Sequence, residues 1–408
     1  MEGADATAIA FLRSPAAVRE RCNAILGYVQ GGRSAHFEVE LGRLSVAVEA
    51  TRRAIQSAYP DPLKIPFHSR VNHFAVGGVD RLRPLADGIR DARERGRALT
   101  DLIVTSVLLD AGAGPDWRYV EPKTGLVARR SEGLALASYH AFMSGVLSSD
   151  PAQPLQADAA GLCGVTAEVL GRAFQVDSSN PLVGLEGRAA LLRQLGRTMR
   201  EEPAHFDHRQ RVGGLCDRLI ERSRGGQLHA AELLTTVLEA LGLIWPARTR
   251  RFGIELGDVW PHPGAGGEGP TAGLVPLHKL SQWLSYSLIH PLAVAGVDVV
   301  EVDALTGLAE YRNGGLFVDT GVIVPKYPGV TTATHASSSE LVVEWRALTV
   351  ALLDRLADDL RRELGLDATT LPLGKVLEGG TWAAGRELAR ERRHGAPPIR
   401  VQSDGTLF

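Results

Sequence analysis

The chain has few cysteines and no long apolar run, and each shortage excludes a class of protein. Its 408 residues include three cysteines, Cys22, Cys163 and Cys216, which are far apart and lack the CxxC spacing of zinc and redox sites. We therefore expect reduced, mostly buried thiols. No segment approaches the roughly 20 consecutive apolar residues that cross a bilayer, and the acidic N-terminal segment does not resemble a signal peptide. These features predict a cytoplasmic protein.

The net charge is also close to zero, because 45 Lys and Arg residues nearly balance 47 Asp and Glu residues. A formal charge of −2 gives no reason to expect nucleic acid or an anionic membrane as a partner. The apolar fraction of 44% and the charged fraction of 23% are ordinary for a soluble globular protein. We therefore expect a small molecule as the ligand.

Helical periodicity dominates the chain and predicts a mainly α, compact multi-helix fold with a few short strands. Apolar residues recur at steps of three and four over residues 43–58, 185–196, 229–243, 276–288 and 340–364. Gly196 is expected to end the second of these helices. The strand-like runs are 297–302 and 317–324.

The length of the chain allows one large domain or two smaller ones. No internal repeat and no low-complexity linker divides it. We therefore expect a single catalytic domain over residues 1–408. Within it we expect two helical lobes, at about 1–200 and 201–408, with the site between them.

Glycine-rich segments invite three interpretations, of which two fail. The DAGAG motif at 110–114 lacks the third glycine of a dinucleotide-binding fingerprint, and no helix opens after it. The run at 264–269 lacks the Lys-Ser/Thr pair of a P-loop. The irregular segment 261–273, rich in glycine and proline, is a loop. It is either a surface connection or a lid over a ligand.

The first polar segment is 66–81, where two histidines and two arginines lie beside a pair of glycines. Arg70 and Arg81 are candidates for anion binding, because the guanidinium group matches phosphate oxygens. His68 and His73 also suit a polar ligand. As metal ligands they lack a third partner at a recognisable spacing. A solvated charged turn is the alternative.

The second polar segment is 257–287, which surrounds the glycine-rich loop. On a helix its lysine, amide and aromatic side chains fall at i, i+3, i+4 and i+7 and share one face, which suits a polar, ring-bearing ligand. The same face would also suit a buried, hydrogen-bonded core. The residues assigned here to substrate binding are Asp258, His278, Lys279, Gln282, Trp283 and Tyr286.

The third polar segment, 306–346, carries carboxylates around a glycine pair that predicts a turn. Glu310 and Asp319 are the catalytic candidates, because hydrolysis through a cationic transition state needs carboxylates in a partly dry site. One stabilises positive charge or activates water, and another with a raised pKa protonates the leaving group. The further residues assigned here to the substrate are Arg312, Asn313 and Glu344.

Long motifs in these segments resemble the URC uracil-catabolism family, the fourth gene product of that pathway. The similarity runs from about residue 10 to the C-terminus. The motifs are PFHSRVNHF and GGVDR in 66–81, SVLLDAGAGPDWRY at 106–119, RSEGLA at 130–135, GDVW at 257–260, HKLSQWLSYSL at 278–288, LTGLAEYRNGGL at 305–316, VEWRALTV at 343–350 and SDGT at 403–406.

This resemblance implies a pathway in which uracil is converted to its nucleotide and a cyclohydrolase-like protein opens the ring. Urea is eventually released, and an N-ribosylurea species lies between. Some enzyme of the pathway must therefore break a ribose–nitrogen bond.

A shorter resemblance concerns the queuosine-phosphate glycohydrolases, a helical family related to DNA glycosylases. KLSQ at 279–282 and LAEYRNGGL at 308–316 are similar to two of its motifs. This resemblance implies a DNA-glycosylase-like fold, and Glu310 matches an acidic residue of the family. Ser287 stands where that family has an aspartate late in the lysine-bearing helix.

The sequence predicts a glycosidase that hydrolyses N-ribosylurea, or its 5′-phosphate, to urea and ribose or ribose phosphate. No cofactor is needed for this reaction. The expected contacts are Arg70, Arg81 and Lys279 with the phosphate, Gln282, Arg312 and Asn313 with the ureido group, and Trp283 and Tyr286 with the sugar. One alternative is a metal-dependent amidohydrolase that uses His68, His73 or His278. The other is a non-catalytic ligand-binding partner of the ring-opening enzyme.

Overall fold

Helices form most of the computed structural model, which describes residues 3–110, 112–244 and 249–402, and the fold is mainly α as the periodicity predicts. The helices are α1 Gly3–Leu12, α2 Pro15–Gln30, α3 Leu44–Ala58, α4 Arg70–Phe74, α5 Leu82–Asp87, α6 Ala92–Leu108, α7 Arg130–Met143, α8 Ala159–Cys163, α9 Ala167–Ala173, α10 Leu185–Glu201, α11 Gly214–Arg222, α12 Ala230–Leu241, α13 Lys279–Val294, α14 Tyr311–Asp319, α15 Gly329–Thr332, α16 Glu340–Leu364, α17 Leu373–Val376 and α18 Trp382–Arg393.

Short strands occur in pairs, and none of them builds a larger sheet within the described residues. The strands are β1 Phe37–Val39, β2 Tyr119–Val120, β3 Val127–Ala128, β4 Gln227–His229, β5 Arg250–Arg251, β6 Ile254–Glu255, β7 Val259–Pro261, β8 Leu274–Pro276, β9 Asp298–Val300, β10 Ile323–Pro325, β11 Thr334–His335 and β12 Arg400–Val401. The pairs β4–β9 and β11–β12 are parallel, and the others are antiparallel.

The long helix α16 shows how the sequence specifies its own ends. Ser339 caps the first turn, where its hydroxyl accepts a hydrogen bond from the backbone N–H of Val342 at 3.4 Å. Gly365 ends the helix with a φ of 66°, a left-handed conformation that favours glycine. The apolar stripe between these ends is buried, and α2 packs against it.

The chain divides into two units built from non-contiguous segments. Among the described residues, the first unit comprises 3–68, 249–282 and 301–402. Within the same described ranges, the second comprises 69–110, 112–244 and 283–300. The lobes expected on either side of about residue 200 do not correspond to these units, because each unit takes residues from both halves of the chain.

Inside the first unit, α14 packs against α18, α2 against α16, and β1 pairs with β10 in the register Phe37↔Pro325. Inside the second unit, α10 packs against α8, α6 packs against α7 and α11, and β4 pairs with β9. Among the described residues, no helix is both long enough and apolar enough to cross a membrane.

Three local predictions are wrong, and close packing explains two of them. Gly196 lies inside α10, where a Cβ atom would come within 2.7 Å of the carbonyl oxygen of Ala159. The glycine pair Gly314–Gly315 lies inside α14 instead of forming a turn. A Cβ on Gly314 would come within 2.8 Å of the Trp345 ring, whose Nε1 donates to the Gly314 carbonyl. The run 317–324 begins in this same helix, and its strand is limited to β10.

The glycine-rich loop 261–273 is held in place near both of its ends by strand pairing and hydrogen bonds. Its flanks form β7 and β8, and the buried Arg21 donates to the carbonyl oxygen of Ala265 at 3.3 Å and to the hydroxyl of Thr271 at 3.1 Å. Gly267 passes so close to the Arg21 guanidinium that a Cβ atom would overlap it. Residues 266–270 form a continuous exposed stretch at its tip, and Pro261, Pro263 and Ala272 are exposed as well.

Candidate active site

Glu310 lies at the start of α14 and caps it. Its carboxylate accepts the backbone N–H of Arg312 at 2.7 Å and that of Asn313 at 2.5 Å. The residue is only 7% exposed, and burial raises the pKa of Glu310 above its ordinary value, against the opposing effect of these two hydrogen bonds. A buried carboxyl with a raised pKa is a candidate general acid.

Two basic side chains, Lys279 and His68, lie near Glu310. Burial raises the pKa of Glu310, and the positive charge of Lys279, like that of a protonated His68, opposes this effect. Nδ1 of His68 lies 2.6 Å from the carboxylate of Glu378, and the His68 ring lies 5.9 Å from that of Trp382. Lys279, His68, Glu378 and Glu310 form what we call the Glu310 cluster, and all four belong to the first unit.

Glu378 stands on a π-helical turn, residues 377–381, that the sequence analysis did not identify. Such turns occur frequently at functional sites. Two consecutive glycines permit close packing here, because a Cβ atom on Gly380 would come within 2.5 Å of the Thr51 methyl group. Thr381 completes the turn and donates to Asn313 Oδ1 at 2.9 Å. A glycine pair inside a helical stretch was the signal available in the sequence.

Asp258 and Arg346 connect the two elements that carry Lys279 and Glu310. The Arg346 guanidinium donates to both carboxylate oxygens of Asp258 at 2.8 Å, and its Nε donates to the carbonyl oxygen of Ala309 at 3.2 Å. Asp258 in turn accepts the backbone N–H of Lys279 at 2.9 Å. Burial raises the pKa of Asp258, but the ion pair with Arg346 and the hydrogen bonds to Asp258 outweigh this effect and hold the pKa well below its ordinary value. This favours a positioning role for the carboxylate.

Gln282 follows Lys279 by one helical turn and is fully buried. Its Oε1 accepts the backbone N–H of Thr306 at 3.2 Å. Its Nε2 has no hydrogen-bond partner among the described residues. Because a buried donor without a partner is costly, this amide nitrogen is a candidate to bind a carbonyl oxygen of the substrate.

Arg312 and Asn313 bind other parts of the protein. Arg312 Nη1 donates to the carbonyl oxygen of Gly395 at 3.1 Å. Asn313 Nδ2 donates to the carbonyl oxygen of Leu308 at 3.3 Å, and its Oδ1 already accepts from the π-helical turn. These contacts attach the start of α14 to its neighbours, so they position Glu310.

Asp319 is not close to Glu310. It ends α14, about 13 Å from Glu310 along the helix axis at 1.5 Å per residue. Its carboxylate accepts both terminal nitrogens of Arg393, at 2.8 and 2.5 Å. Paired carboxylates in glycosidases are roughly 5–9.5 Å apart. The structure therefore does not bring together the two predicted catalytic carboxylates, and Asp319 serves to attach α14 to α18.

Glu344 lies in the one group of side chains, among the described residues, whose geometry could hold a metal ion: His262, Glu340 and Glu344. Nδ1 of His262 accepts the N–H of Gly264 at 3.0 Å, so in the neutral ring Nε2 carries the proton. Nε2 lies 3.2 Å from Glu344, to which Ser34 also donates. A metal would need this nitrogen unprotonated, and hydrogen bonding accounts for the contact without one.

The histidines considered for a metal-dependent reaction are His68, His73 and His278, and each has different partners. His278 Nε2 donates to the carbonyl oxygen of Leu12 at 2.9 Å, and burial lowers the pKa of His278, which keeps its ring neutral. His68 belongs to the first unit and contacts Glu378. His73 belongs to the second unit.

Arg81, in the second unit, is a structural residue. Its Nε and Nη2 donate to the two carboxylate oxygens of Glu121 at 2.6 Å, and Nη1 donates to the carbonyl oxygens of Phe74, Val76 and Val79. The Arg81 contact is the main cause that lowers the pKa of Glu121 to about 2. Gly77 and Gly78 have φ values of 74° and 75° and form the turn that Arg81 closes.

Arg70, His73, Trp283 and Tyr286 also belong to the second unit. Arg70 is fully buried, its Nη1 lies 3.2 Å from His73 Nδ1, and its guanidinium carbon lies 5.8 Å from the centre of the Trp283 ring. Trp283 and Tyr286 are buried. The Ser287 hydroxyl accepts the Arg70 backbone N–H and donates to the Trp283 carbonyl oxygen, so its role is structural.

Comparison with protein families identifies the chain's relatives. Residues 11–408 match the family described as "Protein of unknown function (DUF1688)". The chain belongs to the DUF1688 family. It is 42% identical over 355 residues to Protein urg3 of Schizosaccharomyces pombe, a match that covers 84% of each protein. It is 37% identical over 437 residues to Uracil catabolism protein 4 of Lachancea kluyveri, covering 98% of this chain and 99% of the relative.

Membership of the DUF1688 family confirms the resemblance that the long motifs indicate, since one relative is named for uracil catabolism. Three residues of the Glu310 cluster, His68, Lys279 and Glu310, lie in the motifs on which this resemblance rests, and Glu378 lies outside them. The SDGT motif at 403–406 lies outside the described residues.

Proposed function

We propose that the chain is a hydrolase of uracil catabolism that cleaves the bond between ribose and urea in N-ribosylurea or its 5′-phosphate. The observation that carries the proposal is Glu310, a buried carboxyl with a raised pKa beside Lys279 and the His68–Glu378 pair. The name of the relative Uracil catabolism protein 4 supports the pathway. Hydrolysis of this bond consumes one water and yields urea and ribose or ribose 5-phosphate.

Glu310 acts as the general acid. A carboxyl whose neutral form is favoured by burial can give its proton to the ureido nitrogen as the bond to C1′ of ribose breaks. The bonding electron pair leaves with that nitrogen, and urea departs as a neutral molecule. Positive charge then develops on the ribose ring. After the proton transfer, Glu310 is a carboxylate. The backbone N–H groups of Arg312 and Asn313, which donate hydrogen bonds to it, stabilise this charged form.

The His68–Glu378 pair acts on the water. Glu378 orients the imidazole through Nδ1, and His68 removes a proton from the water as its oxygen bonds to C1′. The cycle closes when that proton returns to Glu310 through solvent. Lys279 provides a fixed cation that attracts the anionic form of the substrate, and Gln282 Nε2 donates to the carbonyl oxygen of the ureido group.

Purified protein incubated with N-ribosylurea, and separately with its 5′-phosphate, tests the proposal. We expect equimolar release of urea and of ribose or ribose phosphate, with the phosphorylated substrate preferred because of Lys279. Urea is measured colorimetrically and the sugar by its reducing end. Tight binding of both compounds without any product would contradict hydrolysis and favour a non-catalytic ligand-binding role.

A further inference from the structure

Arg70 in the second unit has an unused terminal nitrogen. Its side chain is 0% exposed, and Nη2 has no hydrogen-bond partner among the described residues. A buried N–H of a charged group that lacks an acceptor costs more than a neutral one. The hydrolysis proposed above makes no use of this nitrogen, so its orientation requires a separate explanation.

The rest of Arg70 is held firmly. Nε donates to Ser106 Oγ at 2.7 Å, and Nη1 donates to the carbonyl oxygen of Ser131 at 3.0 Å. Ser106 is itself fixed by a 2.6 Å hydrogen bond with Ser138. A guanidinium fixed on these sides cannot turn Nη2 toward another acceptor, so the position of this nitrogen is preorganised.

A carboxylate already lies beside this guanidinium, at Nη1. Asp110 Oδ1 is 3.1 Å from Arg70 Nη1. Burial lowers the pKa of Arg188 to about 10, and the charge of Asp110 opposes this effect, so one carboxylate acts on two guanidinium groups. Glu132 adds a second, weaker negative charge. His73, which contacts Nη1, is partly exposed, so solvent reaches within one side chain of the guanidinium.

We propose that Arg70 Nη2 binds an oxyanion of a small ligand, the phosphate of a sugar phosphate or the carboxylate of a small acid. Both groups accept charge-assisted hydrogen bonds from a guanidinium. A neutral hydroxyl would leave the cation less well compensated. This inference does not depend on the hydrolysis assigned to Glu310, and its test does not measure turnover.

Isothermal titration of the whole protein tests the site with four probes: inorganic phosphate, ribose 5-phosphate, acetate and uncharged ribose. We expect wild-type protein to bind at least one oxyanion and to bind ribose at least about tenfold more weakly, the effect of one charge-assisted hydrogen bond. Comparing the affinities for phosphate and acetate shows whether the site prefers the phosphate of a sugar phosphate or the carboxylate of a small acid. No binding of any oxyanion at millimolar concentration would overturn the proposal.

Two variants separate binding from folding. Arg70→Met combined with Asp110→Asn removes both buried charges together, and we expect it to stay folded and to lose at least about tenfold in oxyanion affinity. Asp110→Asn alone removes the competing carboxylate, so we expect tighter oxyanion binding and a larger rise in Tm with phosphate. Arg83→Met combined with Asp87→Asn, an exposed ion pair whose side chains are 76% and 71% exposed, is the matched control and should bind as wild type does. Unchanged affinity in the double variant would overturn the proposal.

Discussion

Glu310 combines a structural and a chemical role in one side chain. As the cap of α14 it accepts two backbone hydrogen bonds, which favour the carboxylate. Burial favours the neutral acid, and its effect on the pKa of Glu310 is the larger one. The account therefore predicts a linkage between pH and stability at this residue.

We expect the stability difference between Glu310→Gln and wild type to shift in favour of the variant as pH rises above about 4.5, the ordinary pKa of a glutamate. A pKa raised in the folded state means that the folded protein binds more protons than the unfolded chain. Wild type therefore loses stability as pH rises through the folded pKa, whereas glutamine does not titrate. Chemical denaturation of both proteins across a pH series measures the shift.

Glu340→Gln is the matched control, because this exposed glutamate has no comparable burial. A pH-dependent shift that both variants share would reflect the loss of one carboxylate charge and not the burial of Glu310. A difference for Glu310→Gln that stays flat, or moves toward wild type with rising pH, would contradict the raised pKa.

The sequence predicted the residues of the candidate site better than it predicted their roles. Lys279, His68 and Glu310 were chosen because basic residues and a carboxylate stood in unusual motifs, and the structure places all three in one electrostatic neighbourhood. Asp319 was chosen on composition alone, and composition cannot show that Arg393 already binds it. Glu378 was missed because its partner, His68, is 310 residues away in the chain.

At the scale of elements, amphipathic helices were predictable and glycines inside helices were not. The periodicity of α16 determines which face is buried, and the prediction of 340–364 coincides with the observed helix. A glycine pair is typical of a turn when only local propensity is considered. In α14 it instead permits the approach of Trp345, a contact that depends on a distant segment.

We expect Gly314→Ala to lower the free energy of unfolding by about 1–3 kcal/mol, because the new methyl group overpacks the contact between α14 and α16. Its Cβ would lie 2.8 Å from the Trp345 ring and from Thr349 Oγ1. Urea denaturation measures the change. Gly42→Ala is the control, since nothing lies within 4 Å of its Cβ position. Equal stabilities of the two variants would contradict the packing role.

At the scale of the whole molecule, the order of segments along the chain differs from their grouping in the fold. The lobes expected at 1–200 and 201–408 followed from length alone, whereas each unit draws on both halves. In the first unit, Arg19 donates to Asp354 at 2.9 Å. In the second, the buried Asp101 accepts from Arg211 and from the N–H of Gly213. Local sequence patterns carry no information on such pairings.

We expect a fragment comprising residues 1–200 to unfold without a cooperative transition. It would lack Arg211 and Gly213, so Asp101 would be a buried carboxylate without compensation. It would also lack α16, against which α2 packs. Thermal unfolding followed by circular dichroism tests this. A sharp transition like that of the whole chain would contradict the grouping of segments into these units.

The rate of urea release from N-ribosylurea 5′-phosphate by wild type and by Glu310→Gln tests the central claim most directly. We expect wild type to release urea and Glu310→Gln to be slower by about 10²–10⁴-fold, the range for a general acid. Glu340→Gln should keep the wild-type rate, and matched circular dichroism spectra would show that each variant is folded. Full urea release by Glu310→Gln would contradict the account.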